Sequence, residues 1–196
     1  MVAAVTAAVA GLVLAAGAGR RFGSPKAVVE IDGERLVDRA VRTLREGGAA
    51  PAYVVGGAVA LDVPGAVVVA NPDWAEGIGS SLRAGLAALT DDCLAVAVVL
   101  VDQPGLTGAA VERVLSRADG PATVVVATYA GALGHPVVLG RDHWAEAGRL
   151  AVGDTGARPF LAAHAALVTL VECSDVATDA DVDRPGDLDR FRSVTP

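Results

Sequence analysis

Five runs of valine and alanine, at residues 9–14, 53–55, 67–69, 96–101 and 124–128, carry almost no polar residue, and each is bounded by Gly, Pro, Asn or Asp. A strand with one wet face alternates apolar and polar side chains, whereas a strand covered on both faces does not. The stretches 36–45, 80–89 and 107–117 between them carry apolar residues at helical spacing, and Thr107 is placed to cap the last. Alternating strand and helix predicts an α/β chain with a mostly parallel, doubly wound sheet. Ligands of such sheets collect at the carboxyl ends of the strands. The second half is less regular. Residues 135–139 read as extended, 142–150 and 157–164 as helical, 166–172 as a strand, and 185–191 as a helix opened by Pro185. No repeat or linker divides the 196 residues. One domain, 1–196, is expected, although a domain with a small extra lobe would give the same pattern.

Charge narrows the partners. The formal net charge is −7, and no lysine-rich run occurs. Nucleic-acid backbones are bound by clustered cations, so that class is set aside, while a small anion needs only a local positive pocket. Cys93 and Cys173 are far apart, with no C-x-x-C and no His/Cys ligand spacing, which suggests neither zinc nor a disulfide framework. Residues 1–16 are apolar but have no basic leading region, and a membrane span needs about 20 apolar residues. A cytoplasmic protein without a membrane partner is expected.

The only lysine, Lys26, closes the loop L-A-A-G-A-G-R-R-F-G-S-P-K, Leu14 to Lys26, directly behind the first apolar run. A compact ammonium suits phosphate oxygens, and glycine lets backbone N–H groups approach them closely. Gly17, Gly19 and Gly23 miss the dinucleotide fingerprint, and no G-K-[ST] follows. The remaining pattern, L-A-A-G-x-G-x-R-x-G-x-x-K, resembles the MobA-like nucleotidyltransferases of molybdenum-cofactor synthesis, closest to the MocA-like cytidylyltransferase branch. That resemblance implies a Rossmann-like, nucleotidyltransferase or GT-A-like fold. It also implies a nucleotide held by Leu14, Ala15, Ala16, Gly17, Gly19, Arg21 and Lys26. Arg20 is left open, since it can equally face solvent.

The resemblance extends along the chain. Asp102 in D-Q-P follows the fourth strand, where a carboxylate is placed to hold Mg²⁺ over a nucleotide. A second family ligand corresponds to D-V-D-R-P, with Asp183 preferred over Asp181 because it precedes the R-P step; Arg184 departs from the family's threonine. In the segment Asn71 to Leu86, Asn71, Gly79, Ser80 and Ser81 resemble the family's base and ribose contacts, although a serine cap explains Ser80 equally well. G-H-P and G-D-T-G-A-R resemble the acceptor side and bring in His135, Asp154 and Arg158; a structural histidine and a helix-capping Asp154 are the plainer alternatives. His143, His164, Trp74 and Trp144 read as packing or surface residues.

The implied activity is transfer of NMP, with CTP favoured over GTP, to a phosphorylated acceptor of the molybdopterin type, releasing pyrophosphate. Arg21, Lys26 and Asp102 are its expected catalytic groups, Mg²⁺ its cofactor, and a molybdoenzyme the receiver of the product. Another NTP or acceptor, or a nucleotide-binding module without turnover, stays open.

Overall fold

The computed structural model describes residues 8–192. Residues 1–7, on which the reading of the leading segment partly turns, lie outside it. The strands are β1 (Ala8–Leu14), β2 (Glu30–Ile31), β3 (Glu34–Arg35), β4 (Ala52–Gly56), β5 (Ala66–Ala70), β6 (Cys93–Leu100), β7 (Val124–Tyr129), β8 (Ala132–Gly140) and β9 (Thr169–Glu172). The α-helices are α1 (Leu36–Glu46), α2 (Ile78–Ala88), α3 (Gly108–Leu115), α4 (Trp144–Leu150) and α5 (Arg158–Ala163).

Seven strands form one sheet in the order β5-β4-β1-β6-β8-β7-β9, with β2 and β3 a separate small hairpin. In β1, Leu12 and Val13 are both fully buried, yet they belong to different apolar clusters. Val13 packs in the layer of Leu36, Val41 and Leu44 from α1 and Val111 from α3, whereas Leu12 packs with Leu82 and Leu86 from α2 and Phe160 from α5. The unbroken apolar runs of β1, β4, β6 and β7 thus reflect a sheet covered on both faces, whereas the run at 67–69 does not: it is the edge strand β5, where Val67 and Val68 are exposed. A Cβ on Gly85 of α2 would stand 2.7 Å from Leu12, so this helix lies against β1 only because that position lacks a side chain. Thr107 accepts a hydrogen bond from the Ala110 N–H at 3.2 Å and caps α3.

The sheet is less parallel at one side than the sequence suggests. β8 runs antiparallel to both β6 and β7, while the β5-β4, β4-β1, β1-β6 and β7-β9 pairs are parallel. The cause is the connection: only Ala130 and Gly131 separate β7 from β8, and both have positive φ, 51° and 83°. Two such residues make a hairpin turn, and a two-residue link can join strands only in antiparallel fashion. Two further expectations shift. Residues 165–167 form a 3₁₀ turn, so β9 begins at Thr169, and Pro185–Arg190 is 3₁₀ rather than α-helical. No helix among the described residues is long and apolar enough to cross a membrane.

Candidate active site

The parallel strands β1 and β6 end side by side, and Val101 N–H donates to the Leu14 carbonyl at 3.3 Å. After Leu14 the chain enters the glycine loop, where the Ala15 N–H is held by the Val55 carbonyl at 2.9 Å. Gly19 has φ 62°, and a Cβ there would sit 1.8 Å from the Ser24 carbonyl oxygen. Gly17 has an ordinary φ and open space around it. Gly19→Ala is therefore expected to lower stability by about 1–3 kcal/mol and Gly17→Ala by much less, read as the difference in their melting temperatures.

The loop returns through Pro25 to Lys26, the first residue of a short 3₁₀ turn. From there the ammonium Nζ donates to Asp102 Oδ2 and to Asp183 Oδ1, each at 2.8 Å. Asp102 follows β6, and Asp183 is delivered from far along the chain by a backbone tie in which the Val182 N–H donates to the Asp102 carbonyl at 2.9 Å. The fully buried Val182 side chain anchors that strap in the core. Asp187 Oδ2 then accepts the N–H groups of Asp183 and Arg184, at 3.0 and 2.8 Å, and fixes the turn. Arg21 Nη1 lies 3.6 Å from Asp183 Oδ2.

Burial would lower the Lys26 pKa, but the hydrogen bonds to Asp102 and Asp183 outweigh it and hold the ammonium above its usual range. The same Lys26 bond, together with its charge, draws Asp183 below the ordinary carboxylate value. Asp181 behaves differently. Burial, reinforced by the charge of Asp102, pushes its carboxyl upward, and its hydrogen bond is with Gln103. Of the two aspartates in D-V-D-R-P, Asp183 is the one that meets Lys26.

A cavity of about 390 Å³ opens over this cluster, lined by Leu14, Ala16, Gly17, Gly19, Arg21, Lys26, Ser81, Asp102 and Asp183 among others. The first turn of α2 also faces it through Gly77, Ile78 and Ser81. Free N–H groups at a helix start favour anions there. Four of the expected nucleotide contacts do not line it. Ala15 is buried in the core, and Gly79 packs against the Ala151 carbonyl with no room for a Cβ. Asn71 is 3% exposed, and its amide donates to the Ser80 and Ser81 hydroxyls at 2.9 and 3.1 Å. Ser80 is spent on the carbonyls of Asp73 and Gly77. Asn71, Gly79 and Ser80 brace the start of α2 from beneath; of the four residues expected to hold base and ribose there, Ser81 faces the cavity. Trp74 and Arg20, in contrast, do line it. The signal for Trp74 is its position two residues before the Glu76-Gly77 step that opens α2.

A second cavity of about 450 Å³ shares Leu14, Ile78, Leu100 and Asp154 with the first, so the two are continuous at the carboxyl edge of the sheet. Its walls are Leu82, Val98, Val126, Val137 and Leu161, and its polar residues include His135, Thr155 and Arg158. His135, Asp154 and Arg158 thus gather on one side, with Asp154 at the junction. Gly77 makes the junction possible: its φ is 109°, and a Cβ would press to 2.6 Å from Asp154 Oδ1.

His135 Nδ1 is buried without a hydrogen-bond partner. Burial pushes this imidazole down to about 4, against the pull of Asp102 and with a smaller contribution from Arg158. Unfolded, the same ring takes its proton near 6.5, so folding is fully favoured above that pH and loses ground as pH falls towards 4. His135→Gln is expected to remove a stability loss on the order of 3 kcal/mol between pH 7.5 and 4, seen as a flatter melting-temperature profile than wild type.

His143, His164 and Trp144 make their contacts within the fold. His143 and His164 flank Phe160, at 5.3 and 4.7 Å between ring centres, and Trp144 donates to the Leu139 carbonyl at 2.9 Å. Cys93 and Cys173 are buried and free.

Residues 11–168 match a family described as the MobA-like NTP transferase domain. A relative from Paenarthrobacter nicotinovorans, "Nicotine blue oxidoreductase", is 39% identical over 190 residues, spanning 89% of this chain and 92% of its own. A "probable molybdenum cofactor guanylyltransferase" from Opitutus terrae is 38% identical over 109 residues, 52% of each chain. Among solved structures, Rv0371c from Mycobacterium tuberculosis H37Rv aligns with a TM-score of 0.75 at 28% identity, over 95% of this chain and 98% of that one. Its complex with manganese aligns at 0.68 and 26%, over 94% and 96%.

Proposed function

The chain belongs to the MobA-like NTP transferase family, and from that membership we propose that it transfers a nucleotidyl group from a nucleoside triphosphate to a phosphorylated acceptor, releasing pyrophosphate. The observation that carries this reading is the convergence of Lys26, Asp102 and Asp183 at the mouth of the glycine loop. CTP is the proposed donor, on the L-A-A-G start and the G-I-G-S-S segment. The guanylyltransferase name of the half-length Opitutus match favours GTP instead. Thermal shift with each of the four triphosphates decides between them, since a ligand bound only by the folded state raises its melting temperature.

The acceptor is proposed to occupy the second cavity, with its ring body against the aliphatic walls and its phosphate near Arg158 and the Asp154 junction. A molybdopterin-type cofactor is the proposed compound, and a molybdoenzyme the proposed receiver of the product. In the reaction an acceptor phosphate oxygen attacks the α-phosphorus. The new O–P bond forms as the bond to the bridging oxygen breaks, and the electron pair leaves with pyrophosphate. A phosphate monoester is already ionised at neutral pH, so no side chain has to remove a proton. Lys26, Arg21 and the loop N–H groups stabilise charge on the leaving oxygens, while the start of α2 faces the phosphates.

Asp102 and Asp183 fit a divalent ion, because they already close on a cation: both carboxylates lie 2.8 Å from the Lys26 ammonium. No group of three metal-ligating side chains occurs among the described residues, so the remaining ligands would be phosphate oxygens and water. Bound there, Mg²⁺ would neutralise charge on the α-phosphoryl and leaving oxygens.

A second reading follows from the Paenarthrobacter relative, whose name is that of an oxidoreductase. The aliphatic second cavity is compatible with it, but the loop lacks the dinucleotide fingerprint. Pyrophosphate release from NTP and acceptor supports transfer; oxidation of a nicotinamide nucleotide without pyrophosphate supports the second reading. Tight triphosphate binding with neither reaction indicates a binding module.

A further inference from the structure

We propose that Lys26 occupies the place of the divalent cation whenever the site holds no nucleotide, so that the protein alone binds the ion weakly and acquires it together with the triphosphate. This rests on the reading of the site as one for a metal-bound nucleotide, and it adds the order in which that site is filled.

Three features carry it. The first is position: the ammonium sits 2.8 Å from one oxygen of each aspartate, and its side chain is only 13% exposed. A divalent ion held by these two carboxylates would have to take the oxygens that the ammonium now engages. Ion and ammonium cannot both be there.

The second is charge. Two carboxylates face one lysine and one arginine, Arg21 at 3.6 Å from the outer oxygen of Asp183. These four groups carry no net charge between them before any ligand arrives, so the two carboxylates are already matched by cations of the protein itself.

The third is where the lysine can go. Expelling a partly buried ammonium from two charge-assisted hydrogen bonds is unfavourable unless new anionic partners replace them. Lys26 lines the cavity that Gly17, Gly19 and Arg21 also line, and a triphosphate there brings oxygens for the ammonium and the ion for the carboxylates. Each ligand removes an obstacle to the other. Their binding is therefore positively coupled, and the coupling is equal in both directions.

The experiment is a Mn²⁺ titration of the intact protein without nucleotide, following free Mn²⁺ by electron paramagnetic resonance. Wild type is expected to bind Mn²⁺ at least about tenfold more weakly than Lys26→Met, within the usual range of coupling between sites. Lys26→Gln, which retains a polar side chain, is expected to give the same gain and serves if the methionine variant folds poorly. Adding Asp102→Asn to either variant should abolish the gain, which places the new affinity at these carboxylates. Equal Mn²⁺ affinity in wild type and the Lys26 variants overturns the proposal, and so does micromolar Mn²⁺ binding by nucleotide-free wild type, whatever the variants do. If no triphosphate binds at all, the nucleotide reading fails while the Mn²⁺ comparison still reports on Lys26.

Discussion

Lys26→Ala is expected to lower turnover by about 10²-fold or more, the loss that follows removal of one preorganised charged donor from a developing anion. The variant removes the ammonium that reaches the phosphate cavity, and it leaves Asp102 and Asp183 facing each other without their shared cation. Lys26→Arg is expected to be impaired as well: the guanidinium is a wider, planar fork, and a side chain 13% exposed between two carboxylates has little room for it. The measurement is kcat with NTP and acceptor saturating at fixed Mg²⁺, and near-wild-type turnover in Lys26→Ala would reject the role. The same position should move in opposite directions in two assays. Turnover falls, whereas nucleotide-free Mn²⁺ affinity rises, and a merely structural lysine would produce no such pair.

Asp102→Asn is expected to raise the Mg²⁺ concentration needed for half-maximal rate and to lower kcat by about 10²-fold or more. An amide is close in shape to a carboxylate, so the Asp102 carbonyl can keep its bond from the Val182 N–H, and the strap carrying Asp183 should stay in place. What is lost is one of the two carboxylates that meet on the Lys26 ammonium. The remaining one, Asp183, is half exposed and already shared with Arg21. A full metal titration separates the outcomes: an unchanged midpoint removes Asp102 from the metal site, while a raised midpoint with partial rescue at high Mg²⁺ supports ligation.

Much of this architecture was legible because burial on both faces leaves a simple mark. Leu12 and Val13 point to opposite clusters and are both apolar, so β1 reads as an unbroken run, and the same logic exposes β4 and β6. The antiparallel β8 was harder to see. Gly134, His135 and Pro136 interrupt its apolar pattern, and the Ala130-Gly131 turn lacks the asparagine or aspartate that usually advertises a hairpin. At the site, Lys26 is marked by closing the glycine loop that follows β1 and Asp102 by standing just after β6, but Asp183 is marked only by family resemblance, since no local pattern reports a tie between Val182 and Asp102. Asn71 and Ser80 show the reverse failure. A polar side chain beside a helix start can face a ligand or brace the turn beneath it, and sequence spacing is the same in both cases. Their hydrogen bonds to Ser81, Asp73 and Gly77 put them in the second group.

The tie between Val182 and Asp102 also has a temporal consequence. The family match ends at residue 168, whereas Asp183 lies beyond it and returns to the end of β6 on a strap held by the Val182–Asp102 bond, by the Thr178 N–H on the Gly105 carbonyl and the Gln103 amide on the Asp179 carbonyl, and by the buried Val182 side chain. A nascent polypeptide whose sheet has assembled up to β9 therefore has its glycine loop, Lys26 and Asp102, but just half of its acidic pair. A chain cut after β9 is expected to lose Asp183 together with the core side chains Val182 and Leu188, so docking of the trailing segment completes both the acidic pair and one layer of the core.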